Sequence, residues 1–331
     1  MKAALLYDVQ DLRVVDVPTP ETGPDGVLVR VTACAVCPTD IRKFRTGDNG
    51  ELKFPFNMGH EWVGEVVDVG GQVNNVKPGA RVVGGGYLGY AEYAPLKDEM
   101  LRIDNGKPLV IPDSVSDEEA TFVEPLADNI HAVVEQARVS LGQTVLIIGA
   151  GQMALQQMLV AKLVGANVIV SEPIAERREM AARFGADHVI ESSNVPAVVR
   201  DLTHGQGADA AILSVGSPEG MLSALESVRI KGHVVLFGGF DRGTTVTLNP
   251  NIIHYRELEV VGSEWVGLPP YQNLSLYRTA LRLIEQKKIP VGDLITHRVA
   301  LHNIHEAFDA MRSRSGLKAV VHINGRTNGA H

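Results

Sequence analysis

Cysteine is scarce in this chain, with only Cys34 and Cys37 among its 331 residues. Two cysteines cannot build the disulfide framework of a small secreted protein, and such scarcity is typical of a reducing compartment, so we expect a cytoplasmic protein. Long apolar runs are also missing, because the apolar stretches are of strand length and are interrupted by glycine, which argues against a membrane span. Basic residues are not in excess, since the formal net charge is −8. That balance argues against nucleic acid as a partner.

Two domains are expected from the length and from a change in pattern along the chain. Residues 1–120 contain short alternating or apolar runs separated by turn clusters, which predicts a β-rich barrel or sandwich. From Thr144 onward strands alternate with helices, which predicts an α/β fold built on a parallel sheet. Residues 114–135 are predicted to be helical. We therefore assign residues 1–120 and 290–331 to one domain and residues 121–289 to a dinucleotide-binding domain.

The dinucleotide assignment rests on one stretch in which a strand, a glycine turn, a helix and a second strand follow one another and end in an acid. Gly149 allows a sharp turn, Gly151 lets the backbone approach a pyrophosphate, and Ala154 lets the helix pack closely on the strand. Glu172 can accept hydrogen bonds from the ribose hydroxyls and would repel a 2′-phosphate, so NAD is expected rather than NADP. A purely structural turn, or a nucleoside site like that of a methyltransferase, is the alternative. The turn residues assigned to the cofactor are Gly149, Gly151, Gln152 and Met153.

Metal-ligating residue types are grouped in the first third of the chain. Cys37 follows a predicted strand and is expected in a loop, His60-Glu61 precedes another strand, and Glu124 comes later within the predicted helix. A thiolate, an imidazole and a carboxylate fit an open catalytic zinc site, with one position left for water or substrate. Taken singly, a loop cysteine is usually inert and a His-Glu pair is usually a surface or core feature. Their joint presence before a dinucleotide fold favours a metal site in which Glu61 or Glu124, or both in exchange, completes the set.

Two polar residues next to Cys37 are assigned supporting roles. Thr39 could accept the hydrogen bond of a substrate hydroxyl and start a proton path to solvent. Asp40 could bind the far nitrogen of His60 and so fix its tautomer. Cys34 is interpreted as a small core residue of the strand.

With these residues assigned, the chain resembles the zinc-dependent medium-chain dehydrogenases, and within them the branch of sorbitol and threonine dehydrogenases. The resemblance covers nearly the whole chain and includes CPTD at 37–40, GHEWVGEVVDVG at 59–70, GARV at 79–82, VEPLA at 123–127, the GAGQMA turn, SVGSPE at 214–219 and GHVVLFGG at 232–239. It implies a GroES-like catalytic domain, a Rossmann domain and oxidation of a secondary alcohol by NAD. It also implies zinc ligands at Cys37, His60, Glu61 and Glu124, an adenosine contact by Arg177, and turns at Val215 and Gly238 that line the nicotinamide end.

Three departures from the family pattern qualify these expectations. The interval 82–90 holds none of the four cysteines that bind a structural zinc in many relatives, so we expect one zinc. Arg42 stands where a proton-relay histidine is often found, so either Arg42 or Lys43 could meet a polar or anionic part of the substrate. Pro38 replaces the usual glycine and should stiffen the loop without abolishing metal binding.

The combined expectation is a zinc-dependent oxidoreductase that acts on a polyol, cyclitol, sugar or amino alcohol. Pairing of the predicted edge strand at 257–261 across a two-fold axis would make it a homodimer or homotetramer. The alternatives are a zinc-free quinone or enoyl reductase of the same fold using NAD(P)H, and a non-enzymatic binding or structural protein with vestigial ligands. The substrate pocket is expected to be lined by loop residues that include Phe44, Phe54, Phe56 and Trp265.

Overall fold

A computed structural model of the chain describes residues 1–97, 109–264 and 274–324, and Trp265 lies outside the described residues. The chain divides into two compact units, one formed by Met1–Pro125 and Pro269–His331 and the other by Leu126–Leu268. Within the described ranges, no helix is both long enough and apolar enough to cross a membrane.

The first unit is β-rich, as its alternating apolar pattern predicts. A three-stranded antiparallel sheet has the order β2-β1-β4, and a larger sheet has the order β14-β15-β3-β5-β6, with β7 paired to β3. All pairs of the larger sheet are antiparallel except β14 with β15. The strands are β1 Lys2–Asp8, β2 Asp11–Asp16, β3 Gly26–Ala35, β4 Phe56–Asn57, β5 Glu61–Val69, β6 Arg81–Val83, β7 Tyr93–Lys97, β14 Ile295–Ala300 and β15 Lys318–His322.

Strand β3 is the centre of the larger sheet and determines which residues meet. Its end, Ala35, pairs with Val320 of β15 on one side and with Glu61 of β5 on the other. Buried side chains from these strands pack with Phe44, Tyr90 and Phe308 in the core of this unit. The start of β15 and the start of β5 therefore lie near the end of β3.

The helices of the first unit are α1 Pro38–Gly50, α2 Asp117–Ala120, α9 Leu274–Glu285 and α10 Ile304–Arg312; helix α3, Val123–Ile130, begins in this unit. Helix α2 starts with a capping box, in which the Ser116 hydroxyl accepts from the Glu119 N–H and the Glu119 carboxylate accepts from the Ser116 N–H. The single helix predicted over 114–135 is wrong, because the segment is divided into α2, α3 and a π-helical turn, His131–Gln136.

The second unit contains a six-stranded parallel sheet of order β10-β9-β8-β11-β12-β13, which is the Rossmann arrangement. Its central strands are apolar and buried on both faces, as expected where helices cover a parallel sheet. Strand β13 lies at the sheet edge, where the sequence places it. The elements are β8 Thr144–Ile148, α4 Gln152–Leu163, β9 Asn167–Ser171, α5 Ala175–Arg183, β10 His188–Ile190, α6 Val195–Leu202, β11 Ala208–Leu213, α7 Pro218–Ser227, β12 Val228–Leu236, α8 Asn251–His254 and β13 Glu259–Gly262.

The limits of the two compact units differ from the domain limits expected from the sequence. The sequence assigns residues 121–289 to the dinucleotide-binding domain, whereas Leu274–Glu285 falls in the first unit. The reason is that the end of this helix bonds to side chains of the first unit. Glu285 accepts from the Ser114 hydroxyl, and Lys287 bonds to Glu119 of α2.

Candidate metal centre

Cys37 lies in the short connection after β3, as the sequence predicts, but the residues that follow it form a helix that the sequence does not predict. Helix α1 begins at Pro38, and Cys37 is its cap residue, with extended backbone angles. The Asp40 N–H donates to the Cys37 carbonyl at 3.0 Å, while the Asp40 carboxylate accepts from the Cys37 N–H at 3.1 Å. Proline at the first helical position needs no N–H partner and has a suitable φ, which explains how Pro38 is accommodated. Thr39, half-buried, lies in the first turn of this helix.

His60 is positioned by a glycine turn just before β5. Gly59 has φ +80°, and a Cβ atom there would lie 2.8 Å from the Cys34 sulfur, so only glycine fits this turn. The Gly59 N–H donates to Asp40 at 3.2 Å. The two ligand-bearing segments are thus joined by one carboxylate, and Cys34 is a fully buried core residue beside them.

Three of the four predicted metal ligands converge. One ligand atom each from Cys37, His60 and Glu61 lies within 4.8 Å of the others, and all three side chains are buried. This donor set of sulfur, imidazole nitrogen and carboxylate oxygen fits a zinc ion. Glu61 supports the fit, since its buried Oε1 has no hydrogen-bond partner among the residues described.

Asp40 is fully buried and organises the site. It accepts hydrogen bonds from the Cys37 N–H, the Gly59 N–H and the Tyr90 hydroxyl, the last at 3.0 Å. Its Oδ1 also lies 3.6 Å from His60 Nδ1, on the side that the sequence analysis proposes. Although burial acts to raise the pKa of Asp40, the charge of His60 and these N–H donors outweigh it and keep the carboxyl ionised.

The pKa values of Cys37 and His60 are both shifted by burial and by the charged side chains around them. Burial raises the pKa of the Cys37 thiol, against the opposing effect of His60. Burial alone would lower the pKa of His60, but Cys37 and Asp40 outweigh it and raise that pKa well above its ordinary value. Since zinc binds the thiolate and the neutral imidazole, metal binding at this site would release protons.

Glu61 has a partner that the sequence analysis did not identify. The Lys318 ammonium donates to Glu61 Oε2, and both side chains are completely buried. Lys318 Nζ also lies 5.4 Å from the centre of the Phe122 ring. The pair forms because β15 and β5 flank the end of β3. One oxygen of Glu61 is thereby occupied by an internal cation, while the other remains available.

Glu124 lies in the first turn of α3, is 6% exposed and is outside the three-atom cluster. Burial raises its pKa to about 7, with the charge of His60 acting in the opposite direction and that of Glu61 adding to the rise. The carboxyl is therefore close enough to the site to sense both side chains. Glu61 and Glu124 differ in environment, because the Lys318 ammonium bonds to Glu61 and acts on Glu124 through its charge alone.

In the second unit, the glycine turn joins a strand to a helix, and the carboxylate of Glu172 bonds to that turn. Gly149 has φ +108° and follows β8 directly, and Gly151 caps helix α4, in which Gln152 and Met153 form the first turn. Glu172 is 4% exposed, and its carboxylate accepts from the Ala150 N–H at 2.8 Å and from the Ile174 N–H at 3.0 Å. A negative charge is therefore fixed beside the turn.

Two further turns of the same unit lie against the glycine turn. A Cβ atom at Gly149 would lie 2.9 Å from the Val215 side chain, and one at Gly238 would lie 2.5 Å from the Val215 backbone. The structure thus brings together the three turns that the sequence assigns to the cofactor. Arg177, half-buried, lies in the first part of α5. Its neighbour Arg178, not singled out by the sequence, donates to the Glu172 carbonyl at 2.9 Å.

The residues that the sequence analysis missed are Tyr90, Lys318 and Tyr87. Tyr90 lies in a segment with no sign of its bond to Asp40. Lys318 carries a signal, since a lysine next to an apolar run, Ala319–Val321, is unusual for a strand. Tyr87 packs edge-on against His60, with ring centres 5.4 Å apart, and burial raises its pKa; no spacing rule connects the two positions.

Comparison with known proteins agrees with this geometry. Residues 149–286 match the zinc-binding dehydrogenase family, and residues 23–102 match the alcohol dehydrogenase GroES-like domain. The chain is 31% identical to an L-threonine 3-dehydrogenase of Pyrococcus horikoshii, over 93% of this chain and 94% of that protein. It is 28% identical to a sorbitol dehydrogenase of Bombyx mori, over 97% and 98%. A solved structure from Sinorhizobium meliloti 1021, bound to NADP, superimposes with a TM-score of 0.84 at 27% identity, covering 97% of this chain and 98% of that one.

Proposed function

Because the chain belongs to the zinc-dependent medium-chain dehydrogenase family, we propose that it oxidises a secondary alcohol of a polyol, cyclitol, sugar or amino alcohol, with NAD as the hydride acceptor. The observation that carries this proposal is the buried cluster of Cys37, His60 and Glu61. A zinc-free quinone or enoyl reductase would have no need to bury these three donors together, and metal analysis of the purified protein separates the proposal from a protein with vestigial ligands.

Cys37 and His60 would hold a single zinc ion, together with Glu61 or Glu124. When bound, the ion acts as a Lewis acid that lowers the pKa of the substrate hydroxyl. Asp40 bonds to the backbone of both ligand segments and lies 3.6 Å from His60 Nδ1, which supports a role in positioning the ligands. Thr39, in the first turn of α1, would accept the hydrogen bond of the substrate hydroxyl and pass its proton towards solvent.

The choice of NAD over NADP is supported by Glu172. Its buried carboxylate is fixed by two backbone N–H groups beside the glycine turn, so a 2′-phosphate there would meet a negative charge. Gly149, Gly151, Gln152 and Met153 would face the pyrophosphate, while Val215 and Gly238 would contact the nicotinamide end and Arg177 the adenosine. The NADP found in one similar structure makes this cofactor preference a point for direct measurement.

A homodimer or homotetramer is the assembly we propose, through the edge strand β13, whose outer backbone groups are open to pairing within the described sheet. The two cysteines, both free and buried, support a cytoplasmic location.

The function is tested by measuring zinc content and by following NADH absorbance with polyols, cyclitols, threonine and simple secondary alcohols, each with NAD and with NADP. We expect one zinc per chain and turnover with NAD that disappears when a chelator removes the metal and returns when zinc is added. Full turnover in zinc-free protein, or reduction of quinones or enones in place of alcohol oxidation, would contradict the proposal.

A further inference from the structure

A buried ammonium group lies close to the candidate metal centre without being one of its ligands. The Lys43 side chain, in helix α1, is only 8% exposed, and its Nζ donates to Asp48 at 2.5 Å. Arg42 Nε lies 3.5 Å from the other oxygen of the same carboxylate. Removing an ammonium from water is unfavourable unless it is paired, and here the Asp48 carboxylate, which is itself 28% exposed, is its counter-charge.

Aromatic rings separate this ammonium from the metal site. Lys43 Nζ lies 5.3 Å from the centre of the Tyr87 ring and 5.9 Å from that of Phe56. Tyr87 in turn meets His60 edge-on at 5.4 Å. Lys43 is therefore one ring away from a candidate ligand, and a short carbon chain extending from the metal site could span this separation.

We propose that the Lys43–Asp48 pair, beside Tyr87, selects substrates that carry a further hydroxyl group beyond the reacting carbinol; this inference rests on the proposed alcohol dehydrogenase function. An ammonium has three N–H donors; Asp48 takes one and the Tyr87 hydroxyl takes a second, which leaves the third for a ligand. The pair thus offers both a donor and a carboxylate acceptor, which matches a hydroxyl group because a hydroxyl both donates and accepts. Because Arg42 lies on the other oxygen of Asp48, the three side chains carry a net positive charge, so a phosphate ester of the substrate is the necessary comparison in the test.

The test uses two variants, one control variant, and substrates with and without a second hydroxyl group. Lys43→Met keeps the length of the stem and removes the donors. Asp48→Asn removes the charge and suits the positive φ of +53° at this position, since asparagine tolerates left-handed backbone angles. Lys77→Met, at an exposed lysine, is the matched control. Each protein is assayed with butane-2,3-diol, with butan-2-ol, with the polyol that wild type turns over best and, where obtainable, with the phosphate ester of that polyol. The zinc content and the NADH affinity of each protein are also measured.

For Lys43→Met and Asp48→Asn we expect kcat/KM to fall about 10- to 100-fold for the diol and polyol, the effect of losing a hydrogen bond to a charged group, and to stay within about twofold for butan-2-ol. Zinc content and NADH affinity should not change. An equal loss of kcat/KM for the diol and the monoalcohol, or no loss for either, would overturn the inference. The proposed function would still stand in that case, because the protein would retain its zinc and its alcohol turnover. A loss confined to the phosphate ester would overturn it in favour of anion recognition. Wild-type protein without zinc or alcohol turnover would overturn both.

Discussion

Replacing Lys318 with methionine tests how the buried charges of the metal centre compensate one another. The Lys318 ammonium and the Glu61 carboxylate are both completely buried and bonded to each other. Removing one partner of such a pair leaves an uncompensated charge and costs about 3–5 kcal/mol. We therefore expect the free energy of unfolding of the zinc-free protein, measured in urea, to fall by about that amount.

A bound divalent cation would replace the missing ammonium as the counter-charge of Glu61. The same substitution should therefore destabilise the zinc-loaded protein by less, and the difference appears as tighter zinc binding. A difference of only about 1.4 kcal/mol corresponds to a tenfold change, so chelator competition should show zinc affinity raised at least about tenfold.

The double variant Lys318→Met with Glu61→Gln provides the control. It removes both charges, so it should recover most of the stability lost in Lys318→Met and should not show the gain in zinc affinity. Zinc binding that weakens in Lys318→Met, or an equal loss of stability with and without zinc, would refute the reasoning.

Three further predictions concern the acids and the tyrosine that bonds to one of them. Glu172→Ala should raise the Kd for NAD by about 10- to 100-fold, with little change or a gain for NADP, and an equal loss for both in fluorescence titrations would contradict the cofactor assignment. Because burial raises the pKa of Glu124 from 4.5 to about 7, the zinc-free folded state keeps a proton that the unfolded chain has lost. The resulting stability, about 3 kcal/mol, is fully present below pH 4.5 and lost as the pH rises towards 7. Urea midpoints across this range should show that dependence, and an unchanged slope in Glu124→Gln would argue against it. Tyr90→Phe removes a hydrogen bond to the buried Asp40 carboxylate and should lower stability by about 1.5–3 kcal/mol in urea unfolding, while the zinc content stays at one per chain; an unchanged stability would contradict this role.

Local patterns predicted the second unit well. Strands and helices alternate here as the sequence predicts, because the strands at 188–190 and 208–213 and the helix at 195–202 are each a continuous apolar or amphipathic run bounded by turn residues. The glycine turn and Glu172 were recognisable for the same reason, since Ala150 of the turn and the carboxylate that it bonds to lie only 22 residues apart along the chain.

Helix α1 could not be predicted in this way. It is polar, contains two glycines, and starts at a cysteine rather than at a serine or threonine cap. What stabilises its N-terminus is Asp40, which is also bound by Gly59 and Tyr90 from distant segments. The sequence predicts no helix after Cys37 because these partners are long-range.

The metal centre was predictable in its residue types and less so in its arrangement. Cys37, His60 and Glu61 were identified from their chemistry and their neighbouring motifs. The bond between Lys318 and Glu61 joins residues 257 positions apart and depends on the order of β15, β3 and β5, which periodicity does not reveal. The different environments of Glu61 and Glu124 emerge only once that pair is known.

X-ray absorption at the zinc edge of the purified protein tests the metal centre most directly. We predict one zinc per chain, with one sulfur neighbour at about 2.3 Å and nitrogen or oxygen neighbours at about 2.0–2.2 Å. The sulfur signal should disappear in Cys37→Ala and persist in Cys34→Ala. A folded, fully active protein without zinc, or a sulfur neighbour that survives in Cys37→Ala, would contradict the account.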